Sequence, residues 1–308
     1  MKPFSSAMVV AMVMAAQPAI AAVRSTSPET GKKYFWPNRC VILDVFVSDP
    51  PPFLTSDSVI NASTKAASAW NPEKTGCGDI ILKVSSNIGS GFPFGADRKN
   101  TVQFYKEFWG RRNPDPRLVV SHPPDAFALT TVSTLTATGE IIDTDVEINA
   151  VNFKWDDLVT NSRPGERVAD LQNTLTHEFG HVLGLDHNCN DGTNYVDTTG
   201  ARAPNCASAS ESIREATMYP RVDRSDVLRR DLASDDITGL CAAYPRNLVP
   251  DQTSDIDANG NRSCNGSRPI ESDSGGCSVS RASDAAAPSW LVLVGAVFAF
   301  ARRLRRRR

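Results

Sequence analysis

The sequence predicts an α+β layer fold, a single domain of about 210 residues, long enough to bury a sizeable core. Strand-like runs dominate residues 40–149 with one amphipathic helix among them, and two helical patterns follow. A stretch from 177 to 187 carries histidines at helical spacing and then a glycine that stops the helix.

Cys40 to Val47 is apolar nearly throughout, as a buried strand is. Ser56 to Trp70 follows as an amphipathic helix with Val59, Ala66, Ala67 and Trp70 inward. Ile80 to Val84 and Thr101 to Tyr105 are short β-rich runs. Leu129 to Ala137 alternates threonine with apolar residues, the pattern of an edge strand, and Ile141 to Ile148 alternates again. Helices are expected from Val168 to Leu183 and from Ser234 to Tyr244. Together they make five strands, one early helix and two late ones.

Three of the four histidines fall in His177-Glu178-Phe179-Gly180-His181-Val182-Leu183-Gly184-Leu185-Asp186-His187, which reads H-E-x-x-H-x-x-G-x-x-H. On a helix, residues i and i+4 lie about 40° apart, so His177 and His181 present their rings side by side. Val168, Leu171, Leu175, Phe179 and Val182 cluster roughly opposite them and supply a buried face. Glu178 projects beside the histidines, within reach of a zinc-bound water. Gly184 has no Cβ and can turn left-handed, swinging His187 back as a third nitrogen ligand. Three protein ligands leave the fourth position of a tetrahedral zinc open, the arrangement of a catalytic site. The remaining histidine, His122, precedes Pro123-Pro124 and is expected in a loop with no ligand role.

That motif, with Ala216-Thr217-Met218-Tyr219-Pro220 downstream, resembles the metzincin zinc endopeptidases, and the Met-Tyr-Pro ending resembles their matrixin branch. Matrixin-like segments also occur at Trp36-Pro37, Ala66 to Trp70, Asp143 to Asn149 and Asp235 to Leu240, so the likeness covers roughly residues 34–246. The resemblance implies a metzincin-like domain with a mixed five-stranded sheet, an active-site helix and a C-terminal helix. It implies zinc on His177, His181 and His187, Glu178 as general base, Met218 as a hydrophobic floor and Asp236 buried beneath the methionine turn, held by backbone amides. It also implies protein or peptide substrates, bound antiparallel to the edge strand near Leu129 to Leu135 and facing a specificity wall from Arg221 to Val227. Pro220 stands where astacin-like relatives have a zinc-contacting tyrosine, so Tyr219 is not expected to be a ligand. His187 and Met218 are further apart than is usual in matrixins, and the excess contains Cys189 and Cys206.

Residues 1–21 have a basic start, an apolar run and an A-x-A end, the pattern of a secretory signal cut after Ala21. The catalytic domain is then 22–246. Residues 247–284 are a polar linker containing Cys277, 285–301 an apolar segment at the short limit for a membrane span, and 302–308 a basic tail. These last segments resemble the cysteine-bearing C-terminal sorting signals of myxobacteria, which implies export to the surface of a Gram-negative cell. Calcium is the weaker cofactor expectation: Asp255 to Gly260 resembles the start of a calcium loop, but its twelfth position is Gly266 and the bidentate carboxylate is missing.

Without the signal and tail, 26 basic residues face 35 acidic ones, a net charge of −9, which argues against nucleic-acid binding. Seven cysteines in an exported chain suggest disulfides. The expected pairs are Cys40 with Cys77, Cys189 with Cys206, and Cys241 with Cys264. Two other readings are a non-catalytic surface adhesin, which has no need of Glu178, and an enzyme using Glu211 or Glu215 as third ligand, which leaves Gly184 and His187 unexplained.

Overall fold

In chain order the elements are β1 (Val23–Arg24), β2 (Cys40–Phe46), α1 (Ser56–Trp70), α2 (Pro72–Thr75), β3 (Ile81–Asn87), β4 (Thr101–Tyr105), β5 (Gly110–Arg111), β6 (Val120–Ser121), β7 (Ala128–Leu135), β8 (Glu140–Asn149), β9 (Trp155–Asp156), β10 (Ala169–Asp170), α3 (Leu171–Val182), β11 (Leu185–Asp186), α4 (Glu211–Arg214) and α5 (Ser234–Ala243). The structure, a computed structural model, describes residues 22–89, 95–112, 117, 119–158, 168–192, 196 and 200–245. The expected signal at 1–21, the linker with its calcium-like loop, Cys264 and Cys277, the apolar segment at 285–301 and the tail at 302–308 lie outside those residues. Among the described residues no helix is long and apolar enough to cross a membrane.

The fold is α+β, built on a five-stranded mixed sheet in the order β3-β2-β4-β8-β7. The first four strands are parallel and β7 runs antiparallel to β8. Parallel neighbours need a crossover, and α1 supplies it between β2 and β3. β7 ends the sheet, which places the threonine-rich run at an edge as its alternation predicts.

β8 departs from simple alternation. Ile141 and Ile148 are an odd number of residues apart, so a regular strand would send them to opposite faces. Both are nevertheless in the core, at 1 % and 0 % exposure. The register against β7 shifts between Ser133 and Thr134, and this bulge turns Ile141 back to the helix side.

α1 and α3 pack against the sheet. Thr55 and Ser58 form a capping box at the start of α1, and Ala62, Ala66 and Ala67 are among the buried residues that let it approach closely. The Trp70 indole N–H donates to Thr176 O at 2.8 Å. α3 starts three residues later than its apolar pattern suggests because the Asp170 side chain caps it, accepting from Asn173 N at 2.7 Å. Leu171, Leu175, Phe179 and Val182 are fully buried, each worth roughly 1.5–3 kcal/mol, and this anchors the helix with its histidine face outward.

The other sheet face carries the buried acids Asp143, Asp145 and Glu147. Arg111 from β5 donates to Glu147 Oε2 at 2.8 Å and to Thr131 Oγ1 at 2.7 Å. His122 does lie in a loop but is buried there, with Nε2 3.4 Å from Glu147 Oε1 and its ring edge-on to Trp109.

Cys189 pairs with Cys206 as expected. The other two expected pairs are not formed, because Cys77 bonds Cys241 across 164 residues. The end of α5 lies against the segment after α2, where Asp79 N donates to Tyr244 O at 3.1 Å and Gly78 bridges Pro245. That contact sets the two thiols side by side, leaving Cys77 unavailable to Cys40 and Cys241 unavailable to Cys264; Cys40 is itself disulfide-bonded.

Candidate metal centre

Helical pitch places His177 and His181 on one face of α3, with ring centroids 4.9 Å apart. The helix closes at Gly184, whose φ of 76° is left-handed and whose N–H donates to His181 O at 2.9 Å. A Cβ there would also lie 3.1 Å from Tyr34 O. The chain then reverses into β11, which pairs antiparallel with β1, and delivers His187 to the same spot. His181 Nε2 lies 3.2 Å from both His177 Nε2 and His187 Nε2. Among the described residues this trio is the only set of His, Cys, Asp or Glu side chains grouped closely enough to hold one metal ion. Glu211 and Glu215, at α4, are exposed and outside the group.

The outer ring nitrogens indicate what the trio presents. His177 Nδ1 lies 2.6 Å from Thr217 O and His181 Nδ1 lies 2.9 Å from Leu185 O. A carbonyl only accepts, so both Nδ1 atoms carry the proton and both Nε2 atoms point lone pairs at the common centre. Burial, reinforced by His181, pushes His177 down to about 3 and His187 well below its ordinary value, so these rings stay neutral. The three Nε2 atoms, with His181 Nε2 3.2 Å from each of the other two, are close enough together to ligate one cation. Three imidazoles suit zinc.

A second layer of contacts fixes His177 from below. Asp236, on α5, is 2 % exposed and accepts from Thr217 N at 2.8 Å, Met218 N at 2.9 Å and Ala233 N at 2.9 Å. The Thr217 carbonyl is thereby aimed at His177. Burial raises the Asp236 carboxyl to about 6 against the pull of those amides. Met218 packs under α3 at Gly180, where a Cβ would overlap its sulfur and sit 2.9 Å from Trp70 Cζ2. The Tyr219 hydroxyl donates to Cys206 O at 3.3 Å, away from the histidines.

Glu178 is buried beside the trio, and burial raises its carboxyl while His181 and Thr130 pull the other way. A cleft of about 840 Å³ runs past it, bounded by β7 on one side and by Tyr219 to Val222 with Arg229 on the other. Arg229 donates to Arg221 O and Arg214 O, both at 2.7 Å, bracing that wall. Arg221 pairs with Asp191 of the disulfide-closed loop at 2.7 Å.

The site residues singled out from sequence all gather here: His177, Glu178, His181, Gly184, His187, Met218 and Asp236. The sequence pattern does not single out Gly180, Thr130, Arg229 or the Thr217 carbonyl. A glycine inside a helical run was a usable signal for Gly180; nothing local marks the others. No protein-family model matches the chain, and no curated protein matches it.

Proposed function

We propose that the chain is an exported zinc-dependent endopeptidase of metzincin type, nearest the matrixin branch, hydrolysing peptide bonds in proteins or peptides. The observation that carries this reading is the convergence of three histidine Nε2 atoms beside a buried carboxylate in a cleft bordered by a sheet edge. His177, His181 and His187 would hold the zinc, and Nδ1 contacts to backbone carbonyls orient the first two of these rings. When bound, zinc lowers the pKa of water and polarises the scissile carbonyl.

The chain's own groups do the rest. An extended peptide adds to β7 through main-chain hydrogen bonds, which selects unfolded segments over folded ones. Glu178 takes the proton of the attacking water and returns it to the departing amine. The walls at β7 and at Tyr219 to Val222 would flank the peptide on both sides. Export and retention at a Gram-negative cell surface are proposed from residues 1–21 and 247–308 of the sequence.

Glu178→Ala tests the assignment. The variant is expected to keep one zinc per chain by metal analysis and to lose casein hydrolysis; undiminished cleavage refutes the role given to Glu178.

A further inference from the structure

Thr130 belongs to β7, at the sheet edge that borders the cleft. Its Oγ1 lies 2.6 Å from Glu178 Oε2 and 3.3 Å from Glu178 O. A hydroxyl has one proton, and the carboxylate oxygen is the nearer and the charged acceptor, so the proton goes there. A β-branched side chain is stiff at χ1, so the strand backbone dictates where this hydroxyl sits. That backbone is held in turn by the pairing of Thr130 with Val146 on β8. Glu178 itself rises from α3. Its carboxylate is thus tied at both ends, to the helix through its own side chain and to the sheet edge through Thr130. Among the described residues no protein donor reaches the other oxygen, Oε1.

We propose that Thr130 is a positioning residue, which holds Glu178 by Oε2 and leaves Oε1 turned to the cleft to receive the proton of water. Because Thr130 lies in the strand on which the peptide docks, the base and the substrate share one frame. A glutamate without this tether samples several rotamers, and each approach to the reacting geometry then carries an entropic cost. The inference rests on the peptidase reading above.

The test uses the zinc-loaded full chain with Thr130→Val, which keeps the shape and removes the hydroxyl, and Thr130→Ser, which keeps the hydroxyl. Peptide hydrolysis, zinc content and a crystal structure of the valine variant are measured against wild type. Thr130→Val is expected to lower kcat by about tenfold to a hundredfold with KM and zinc content unchanged, as loss of one charge-assisted bond predicts. Thr130→Ser is expected to recover most of that loss, and the crystal structure to show the Glu178 carboxylate turned from its wild-type position. Wild-type kcat in the valine variant, a serine variant as slow as valine, or an unmoved carboxylate overturns the proposal. If wild type cleaves no peptide, the peptidase reading falls, and the crystallographic comparison still decides whether Thr130 holds Glu178.

Discussion

A methyl group has no room at Gly180. Built on the backbone there, a Cβ overlaps the sulfur of Met218 and lies 2.9 Å from Trp70 Cζ2 and 3.1 Å from Met218 Cε. Two opposing effects decide the sign of Gly180→Ala. Helix propensity favours alanine by about 0.5–1 kcal/mol. Overpacking a core typically costs about 1–3 kcal/mol. Trp70 cannot retreat, because it is fully buried with its indole bonded to Thr176 O. Met218 has a flexible side chain, yet it is 3 % exposed and its backbone is held by Asp236. Overpacking therefore wins, and the variant is expected to lose about 1–2 kcal/mol in urea unfolding of the zinc-loaded, oxidised chain. Met218→Ala alone is expected to lose about 2–5 kcal/mol through the hole it leaves. In the double variant the new methyl fills part of that hole, so the combined loss should fall short of the sum by at least about 1 kcal/mol. A Gly180→Ala protein as stable as wild type, or strict additivity, refutes this account of the contact.

Asp236→Asn replaces a carboxylate that accepts three backbone amides with a group whose NH₂ must face one of them. The Thr217 carbonyl loses its aim at His177, and zinc affinity is expected to fall about tenfold to a hundredfold by chelator competition; unchanged affinity would count against the bracing role. Asp143 gives a pH prediction. Its carboxyl is raised from 3.8 to about 8, first by burial and then by Asp145 and Asp97. Between those values the native state binds the proton more readily than the unfolded chain, so stability falls as pH rises from 3.8 to about 8. Asp143→Asn in EDTA should therefore melt higher than wild type at about pH 8 and close to it near pH 4; parallel curves would contradict this.

Most element positions follow from periodicity, because burial on one face of a helix or strand selects residues at the matching repeat. The helix at Ser56–Trp70 and the strand at Thr101–Tyr105 form over the residues their patterns indicate. The disulfides are less legible: six cysteines between positions 40 and 264 allow many pairings, and of the expected pairs only the one closing the short loop from Cys189 to Cys206 forms. Cys77 and Cys241 meet because α5 returns to the segment after α2, a packing event that no local pattern encodes.

The convergence of the three imidazoles is legible in the linear pattern, since helical pitch and one left-handed glycine convert spacing within a short stretch into proximity. Tertiary structure alone decided what surrounds them: the Thr217 carbonyl behind His177, the Thr130 hydroxyl on Glu178, and the bulge that returns Ile141 to the core. Local geometry is set by bond angles and dihedral periods, which a linear pattern carries. Contacts between residues distant in the chain depend on which faces pack and in what register, and those are settled only when the whole core closes.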